Sequence, residues 1–442
     1  MNIRNRCAVL AAVLAAVLLS GAAVRAQQLL PLSLAESRER ALAHSEELRQ
    51  ADNRLEQARL DRQIASVAAL PKIEGSATGA YVLPDIDMMG MELRMRGTYM
   101  AGLTLTQPIY AGGKIAAARR MARIGEEAAE EQRRMTRMDA LVEADNAYWS
   151  LVAVDGKVRM LESYAAQMDT LYDQTSAAVG AGMAIENDRL RVEAKRSEIR
   201  YQLQKARNGA DLCRMSLCRV IGVESDVRPV PTDTLLRAVA PGELTADLEA
   251  RPELRMLEQQ VAVGEQQIRD ARSAMLPAAG LSLGYTYYGN IKLNSMVDAG
   301  GGNYVPYTQE FRDGLGLAML AVKIPIFHWG EGRKKVRKAR YELRNAQLDL
   351  QKNTRLMSLE VEQAIRNVED GYRMIQTAEL ALRQAEENLR VMRNRHAAQM
   401  APLTDLLDAQ SQWQQAASNR IEAATQYQIY RTEYLRATGR LE

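Results

Sequence analysis

Asp405 and Asp408 stand three residues apart just beyond Gln399-Met400-Ala401-Pro402, where a turn gives way to a new helix. Three apart on a helix is one face, so the two carboxylates would act together. Their chemistry is electrostatic: they attract cations, repel each other's charge and respond to pH. Acids in a first helical turn also have a plainer reading, because the helix dipole favours them wherever they point. Asp188 opens a helix in the same way earlier in the chain. His396, just before the turn, is the one nearby side chain that ordinarily titrates near neutrality; a single histidine there also reads as packed or solvated. Other reactive groups are sparse. His44, His328 and His396 are scattered, and no P-loop or nucleophile elbow is present. Cys213 and Cys218, five apart on an expected helix, point to different sides and should not bridge. No Cys/His spacing suits a metal. An enzyme, a cofactor and a metal are therefore not expected, and the acids matter through the elements that place them.

Those elements occur twice. Pro108-Ile109 recurs as Pro325-Ile326, Gly113 as Gly330, Ala122-Arg123 as Ala339-Arg340, Met183 as Met400, Asp188 as Asp405 and Gly222 as Gly439, at one offset of 325 − 108 = 217. Upstream, Leu48 matches Leu254 and Leu70-Pro71 matches Leu276-Pro277, at 277 − 71 = 206. The difference, 217 − 206 = 11 residues, falls between the matched prolines. Constant length outside that segment and variable length inside it mark rigid elements carrying a variable loop.

Arg4 and Arg6 precede an apolar run from Ala8 to Leu19, and small residues lead to Val24-Arg25-Ala26, so residues 1–26 read as a secretory signal peptide. Cys7 precedes the apolar run, which argues against a lipid-modified cysteine after cleavage. Cleavage would remove three arginines and no acids, taking the formal charge from 58 − 55 = +3 to 55 − 55 = 0. Balanced charge does not favour nucleic acid as a partner. The local run Arg333, Lys334, Lys335, Arg337, Lys338 and Arg340 reads as a solvated helix face or as a basic collar near a membrane surface. No later stretch is long and apolar enough for a transmembrane helix.

Proline is absent from 109 to 228 and, after 325, occurs only at Pro402. Apolar residues step by three and four through Leu141, Ala144, Tyr148 and Leu151, and again through Ile365, Val368, Tyr372 and Ile375. This spacing predicts helices with a narrow apolar seam over about 114–178 and 331–398, each about 100 Å long. Return helices follow over about 185–221 and 402–438, after turns at Gly182-Met183-Ala184 and Met400-Ala401-Pro402. Two further helices precede the matched prolines: about 33–69, opened by the capping box Ser33-Leu34-Ala35-Glu36, and about 252–275. Residues 223–251, with Pro229, Pro231 and Pro241, read as an equatorial linker between copies spanning 27–222 and 252–442.

Between the matched prolines the period changes to two. Ile73, Ala77 and Tyr81 alternate with Glu74, Ser76 and Thr78; Leu103 and Leu105 with Gly102 and Thr104; Leu283 and Tyr285 with Ser282 and Gly284; Leu315, Leu317 and Met319 with Gly314, Gly316 and Ala318. Strands are expected over about 72–83, 97–107, 278–288 and 311–324, with loops at about 84–97 and 289–310. One apolar and one small or polar face fits a membrane β-barrel, and Tyr110, Phe327 and Trp329 at the strand ends fit its interface. Four strands cannot close a barrel, and open edges cannot face lipid. A dimer would supply eight strands and a filled interior, a trimer twelve and a lumen. The expected fold is mainly α with a membrane β-barrel. A duplicated helix–strand–strand–helix–helix unit would trimerise into a 12-stranded β-barrel on a long α-helical barrel.

This order resembles the TolC-like outer-membrane efflux channels over essentially the whole mature chain. Leu-Thr-Gln-Pro-Ile-Tyr-Ala-Gly-Gly at 105–113 and Ile-Pro-Ile-Phe-His-Trp-Gly at 324–330 look like the family's barrel–helix junction, around Pro108 and Pro325. Leu403-Thr404-Asp405-Leu406-Leu407-Asp408-Ala409 looks like its signature at the periplasmic helix tip. The resemblance implies a homotrimer with its barrel in outer-membrane lipid and a helical periplasmic tunnel closed at the tip. It implies docking of a periplasmic adaptor (membrane fusion protein) and an inner-membrane pump, proton-driven or ATP-driven, with passive export and no cofactor. It also implies a gate of six carboxylates from Asp405 and Asp408, cation-favouring and sensitive to pH, with Asp188 and His396 beside it. Gly182, Met183, Ala184, Met400, Ala401 and Pro402 become adaptor contacts, methionine offering an adaptable apolar surface, or are simply turn residues. The chain departs from better-known members at His396, Gln399 and Ala401, where they carry tyrosine, glycine and arginine, so the locking contacts differ. A non-channel periplasmic coiled-coil structural or adaptor protein is the rival; the structural coiled coil leaves the alternating strands without a purpose, and an adaptor usually has one helical hairpin flanked by soluble β domains, which this chain lacks.

Overall fold

The computed structural model describes residues 29–88, 91–224, 226–233 and 239–442. The expected signal peptide, 1–26, lies outside them. In chain order the elements are β1 (Leu29–Leu32), α1 (Leu34–His44), α2 (Glu46–Val67), β2 (Lys72–Tyr81), β3 (Ile86–Met88), β4 (Met91–Arg94), β5 (Arg96–Ala111), α3 (Lys114–Gly180), α4 (Glu186–Ile221), β6 (Arg228–Pro231), α5 (Pro252–Ser273), β7 (Ala278–Asp298), β8 (Tyr304–Lys323), α6 (Glu331–Ala397) and α7 (Leu403–Ala437). The chain divides into two units: Met1–Gln50 with Arg134–Pro252 and Arg355–Glu442, and Ala51–Arg133 with Glu253–Thr354.

The first unit is helical. Tyr148 and Leu151 of α3, Leu217 and Ile221 of α4, Val361, Val368 and Ile375 of α6, and Tyr427 of α7 form one core that also takes in Leu32 of β1. Each helix supplies apolar residues at steps of three, four or seven, so a narrow seam is enough to bury them. Each large side chain hidden this way contributes about 1.5–3 kcal/mol. A second cluster joins Tyr164, Met168 and Leu171 of α3 to Val192 and Ile199 of α4, Leu389 of α6, and Leu403 and Leu406 of α7. Between helices the unit carries one fully buried acid among the described residues. Asp145 of α3 accepts from Arg38 Nε (2.7 Å) and Nη2 (2.6 Å) of α1 and from Thr432 Oγ1 of α7 (2.5 Å). Cys213 and Cys218 are both free, and burial pushes both thiols up.

Two expectations are corrected in this part of the chain. The helix expected over 33–69 is two helices, because Ser45 leaves the helical region (φ −59, ψ 117) and its Oγ accepts from the Leu48 N–H at 3.1 Å. Ser45 is thus the N-cap of α2, with Glu46 and Glu47 in the first turn. The linker 223–251 contains β6, which pairs in parallel with β1, Leu29 opposite Arg228 and Leu32 opposite Pro231. Pro229 and Pro231 fit there because both strands of a two-stranded sheet are edges.

The second unit holds the main sheet, in the order β2–β5–β7–β8, with β4 and then β3 continuing beside β7 beyond the end of β5. The second hairpin is much longer than expected. The segment 289–310, expected as a loop, is largely strand, and only 299–303 turns. Asn290, in the left-handed region (φ 59), shifts the register between Tyr288 and Ile291 and so interrupts the alternation that would reveal a strand. Pro306 is tolerated because β8 is an edge strand. Within the loop expected at 84–97, β3 and β4 form a small hairpin. β5 runs past 107 to Ala111 through an irregularity at Pro108, while β8 stops at Lys323 and β2 at Tyr81.

The faces also need one correction. Ile73, Leu103, Leu105, Leu283 and Tyr285 share one face of β2, β5 and β7, and Glu74, Ser76, Thr104, Ser282 and Thr286 the other. In β8 the phase is reversed: Leu315, Leu317 and Met319 lie opposite Thr286, Gly284 and Ser282. The reason is space. A Cβ on Gly314 would fall 2.0 Å from the Tyr285 hydroxyl, so the tyrosine occupies room that β8 leaves empty. Among the described residues β2 pairs only with β5, and β8 only with β7, which leaves both outer edges open. No described helix is long and apolar enough to cross a membrane.

Candidate functional site

The turn after each long helix closes in the same way. At the end of α3, Gly182 adopts φ 72, its N–H donates to Val179 O (3.0 Å) and the Met183 N–H donates to Ala178 O (2.8 Å). At the end of α6, Gln399 adopts φ 57, its N–H donates to His396 O (2.9 Å) and the Met400 N–H donates to Arg395 O (2.8 Å). Both are Schellman caps, which satisfy the last carbonyls of a helix through one left-handed residue. His396 Nδ1 lies 3.0 Å from Ala401 O, a contact that requires the Nδ1–H form and ties the helix end to the turn.

Pro402 then caps α7 without a side-chain hydrogen bond. Leu403, Leu406 and Ala409 are buried in the second cluster. Their steps of three fix the rotation of the helix and leave Asp405 and Asp408 exposed. Asp405 accepts only from its neighbour Thr404 Oγ1 (3.3 Å), and Asp408 has no side-chain partner among the described residues. Asp188, in the first turn of α4, is half-buried and forms no hydrogen bond with either. Three arginines of α4 are engaged elsewhere: Arg189 pairs with Glu186, Asp169 takes both Arg196 and Arg200, and the Arg196 guanidinium also lies 4.8 Å from the Tyr172 ring centre. The Asp169 set was missed in sequence because its members are 27 and 31 positions apart on two helices and follow no periodic pattern. Met183 and Met400 are 69% and 70% exposed, Gly182 and Pro402 are exposed, and Ala184 and Ala401 are half-buried. The structure thus groups His396, Met400, Ala401, Pro402, Asp405 and Asp408 at one turn, and Gly182, Met183, Ala184 and Asp188 at the other.

The two strand-to-helix junctions differ. In the first copy Gly112 (φ 61) is packed so closely that a Cβ would meet Ser273 O at 2.7 Å and Leu276 Cβ at 2.9 Å. Gln107 Nε2 donates to Ala69 O at 2.7 Å, and Tyr110 is exposed. In the second copy Pro325 is half-buried, and Ile326, Phe327 and Trp329 are 90%, 68% and 85% exposed. The Phe327 and Trp329 rings meet edge-on at 5.1 Å, and Trp329 takes the left-handed φ of 50.

A family profile described as outer membrane efflux protein matches residues 38–223 and again 245–440. The chain belongs to the outer membrane efflux protein family. The two matches to this efflux family coincide with the two copies. Among solved structures, the chain is similar to the outer membrane protein VceC of Vibrio cholerae, at 17% identity and a TM-score of 0.76 over 92% of this chain and 96% of that one. A Pseudomonas aeruginosa membrane protein gives 20% and 0.77 over 92% and 93%. The open-state MtrE outer membrane channel of Neisseria gonorrhoeae gives 18% and 0.74 over 92% and 88%. At these identities the likeness is one of fold, and that fold is the outer-membrane efflux channel's. No curated protein sequence matches the chain.

Proposed function

We propose that the protein is the channel-tunnel of a tripartite efflux or secretion system. It would be a passive exit duct in the outer membrane for small molecules or proteins handed over by an inner-membrane pump and a periplasmic adaptor. One observation carries this reading within the family: the sheet has an open edge on β2 and another on β8. Open edges cannot face lipid, and three copies joined edge to edge make a closed 12-stranded barrel with a lumen. The homotrimer places the helical part in the periplasm after signal-peptide cleavage, without a lipid anchor, and needs neither cofactor nor enzymatic step. A purely structural coiled coil has no use for such a sheet, and the two long helical hairpins do not suit an adaptor built on one.

At the tip, Asp405 and Asp408 are exposed and have no cation partner among the described residues. Around a three-fold axis they would put six carboxylates in one ring, which favours cations and resists closure when all are charged. His396 serves a different role, bracing the turn. Its Nδ1–H donates to Ala401 O and ties the end of α6 to the turn. Met183 and Met400 offer the adaptor exposed apolar surface.

Single-channel conductance in a planar bilayer tests the proposal, with the native protein beside Asp405→Ala/Asp408→Ala. A small cation-selective conductance that rises or loses selectivity in the variant is expected. Equal conductance in both would move the gate away from these acids. A protein that stays soluble without detergent and never inserts would remove the barrel.

A further inference from the structure

The second-copy junction carries two features that export does not use. Ile326, Phe327 and Trp329 stand out from the end of the sheet, mostly exposed, with the Phe327 and Trp329 rings against each other. Directly after them, Arg333, Arg337, Arg340 and Arg344 line one face of α6, at steps of four, three and four. All four are exposed, and none forms an ion pair or side-chain hydrogen bond among the described residues. The neighbouring Lys335 and Lys338 are paired along the helix, with Glu331 (2.7 Å) and Glu342 (3.7 Å). The packed side of α6 is a different one, formed by Val336, Ala339 and Leu343, the last against Gly264.

The duplication supplies an internal control. At the 217 offset the first copy carries Gly112 for Trp329, Ala116 for Arg333, Arg120 for Arg337 and Glu127 for Arg344. There Arg123 is neutralised by Glu127 at 3.1 Å, whereas its counterpart Arg340 faces Arg344 instead. A helix in this position therefore needs neither the tryptophan nor the full row of four uncompensated arginines, of which the first copy keeps the exposed Arg120. Tryptophan is also a poor choice for a left-handed φ, so the backbone does not explain it.

We propose that this junction, resting on the channel reading above, is an anchor for anionic phospholipid in the leaflet nearest the helices. Ile326, Phe327 and Trp329 enter the boundary between acyl chains and headgroups, where aromatic rings are favoured. Arg333 and Arg337 take headgroup phosphates, which the guanidinium fork suits. Arg340 and Arg344 lie about 10 and 16 Å further along the helix than Arg333. At physiological salt the attraction falls off over about 8 Å, so they contribute less.

Tryptophan fluorescence of the trimer in nanodiscs tests this, using brominated phosphatidylglycerol with plain phosphatidylcholine and then the reverse labelling. Trp329→Phe identifies the component due to Trp329, since Trp149 is buried and Trp413 packs near Tyr164. In the native protein, quenching should report about tenfold enrichment of the anionic lipid around Trp329, unaffected by added inorganic phosphate. Arg333→Gln/Arg337→Gln should abolish the enrichment, and Arg340→Gln/Arg344→Gln should reduce it less. Equal quenching by both lipids in a preparation that conducts ions would overturn the anchor and leave the channel intact. Equal loss from both double variants, together with altered ion selectivity, would overturn it too, by assigning the arginines to the tunnel wall. Failure to insert or conduct would instead remove the channel reading, and the anchor with it.

Discussion

At the end of its long helix the first copy places Gly182 in the left-handed region, and at its strand-to-helix junction it places Gly112 there; the second copy holds Gln399 and Trp329 in the same conformations. Asn290, the third non-glycine residue with positive φ among those described, also belongs to the second copy. The backbone path is therefore set by the architecture, and the residue by what surrounds it. Gly112 is enclosed by the end of α5, whereas Trp329 projects into open space. A side chain in this conformation costs about 1–2 kcal/mol, so the second copy carries strain that the first avoids. Such strain concentrates where a side chain has work to do, and at the junction that work is contact with lipid.

Exchanging residues between the copies tests this contrast. The largest effect is expected at Asp145, whose counterpart at the 217 offset, Glu362, is exposed. Asp145→Ala should cost about 3 kcal/mol, because it leaves Arg38 half-buried without its carboxylate. Glu362→Ala should stay within about 0.5 kcal/mol, with denaturant unfolding of both variants as the measurement. Gly112→Ala should cost about 2–3 kcal/mol through its collision with the Ser273 carbonyl. Trp329→Gly should instead stabilise the backbone by about 1 kcal/mol, and equal losses from the two changes would erase the contrast.

Tyr164 offers a pH test, since its second-copy counterpart is Ala381. Burial pushes the Tyr164 phenol up to about 12, from an ordinary value of 10.0. The unfolded chain therefore loses this proton first, and the folded state loses stability as pH rises from about 10 towards 12. The slope is at most about 1.4 kcal/mol per pH unit. Melting temperatures across that window should fall more steeply in the native protein than in Tyr164→Phe; parallel curves would show that the phenol is not responsible. Smallest of the four, Gln399→Gly should stabilise by about 1 kcal/mol, and Gly182→Gln should destabilise by a similar amount. Thermal unfolding of the pair reads both signs.

The duplicated order of helices and strands was legible because each long helix buries only a narrow seam, and Tyr148-Leu151 or Val361-Val368 repeats plainly enough to reveal it. The upper half of the second hairpin was not legible, because Asn290 breaks the alternation and the residues beyond it show no burial period of two: Ile291 to Ser295 are all half-buried, and β8 opposite them is exposed throughout. Ser45 carried a readable N-cap pattern, Ser-Glu-Glu-Leu, hidden inside a longer helical stretch. Arg38 and Asp145 are 107 positions apart, and nothing local marks either as a buried partner. At the tip, the residue types and their grouping at the turn could be read from spacing. The His396 contact with Ala401 could not, since it depends on the left-handed Gln399 that brings the two together.

Pairing between β5 and β7 also has a kinetic consequence. Ala101 pairs with Tyr287, 287 − 101 = 186 positions later. The hairpin of β2 and β5 is local and closes within about 1–10 μs, but it then waits with an unpaired side until the second half of the chain has been made. At about 5–20 residues per second, that wait lasts roughly ten seconds or more, a million times longer than hairpin closure. Throughout it a bare, partly apolar strand is available to any other chain, so the nascent protein needs an escort during synthesis, and a pause between the two copies is its point of greatest exposure to aggregation.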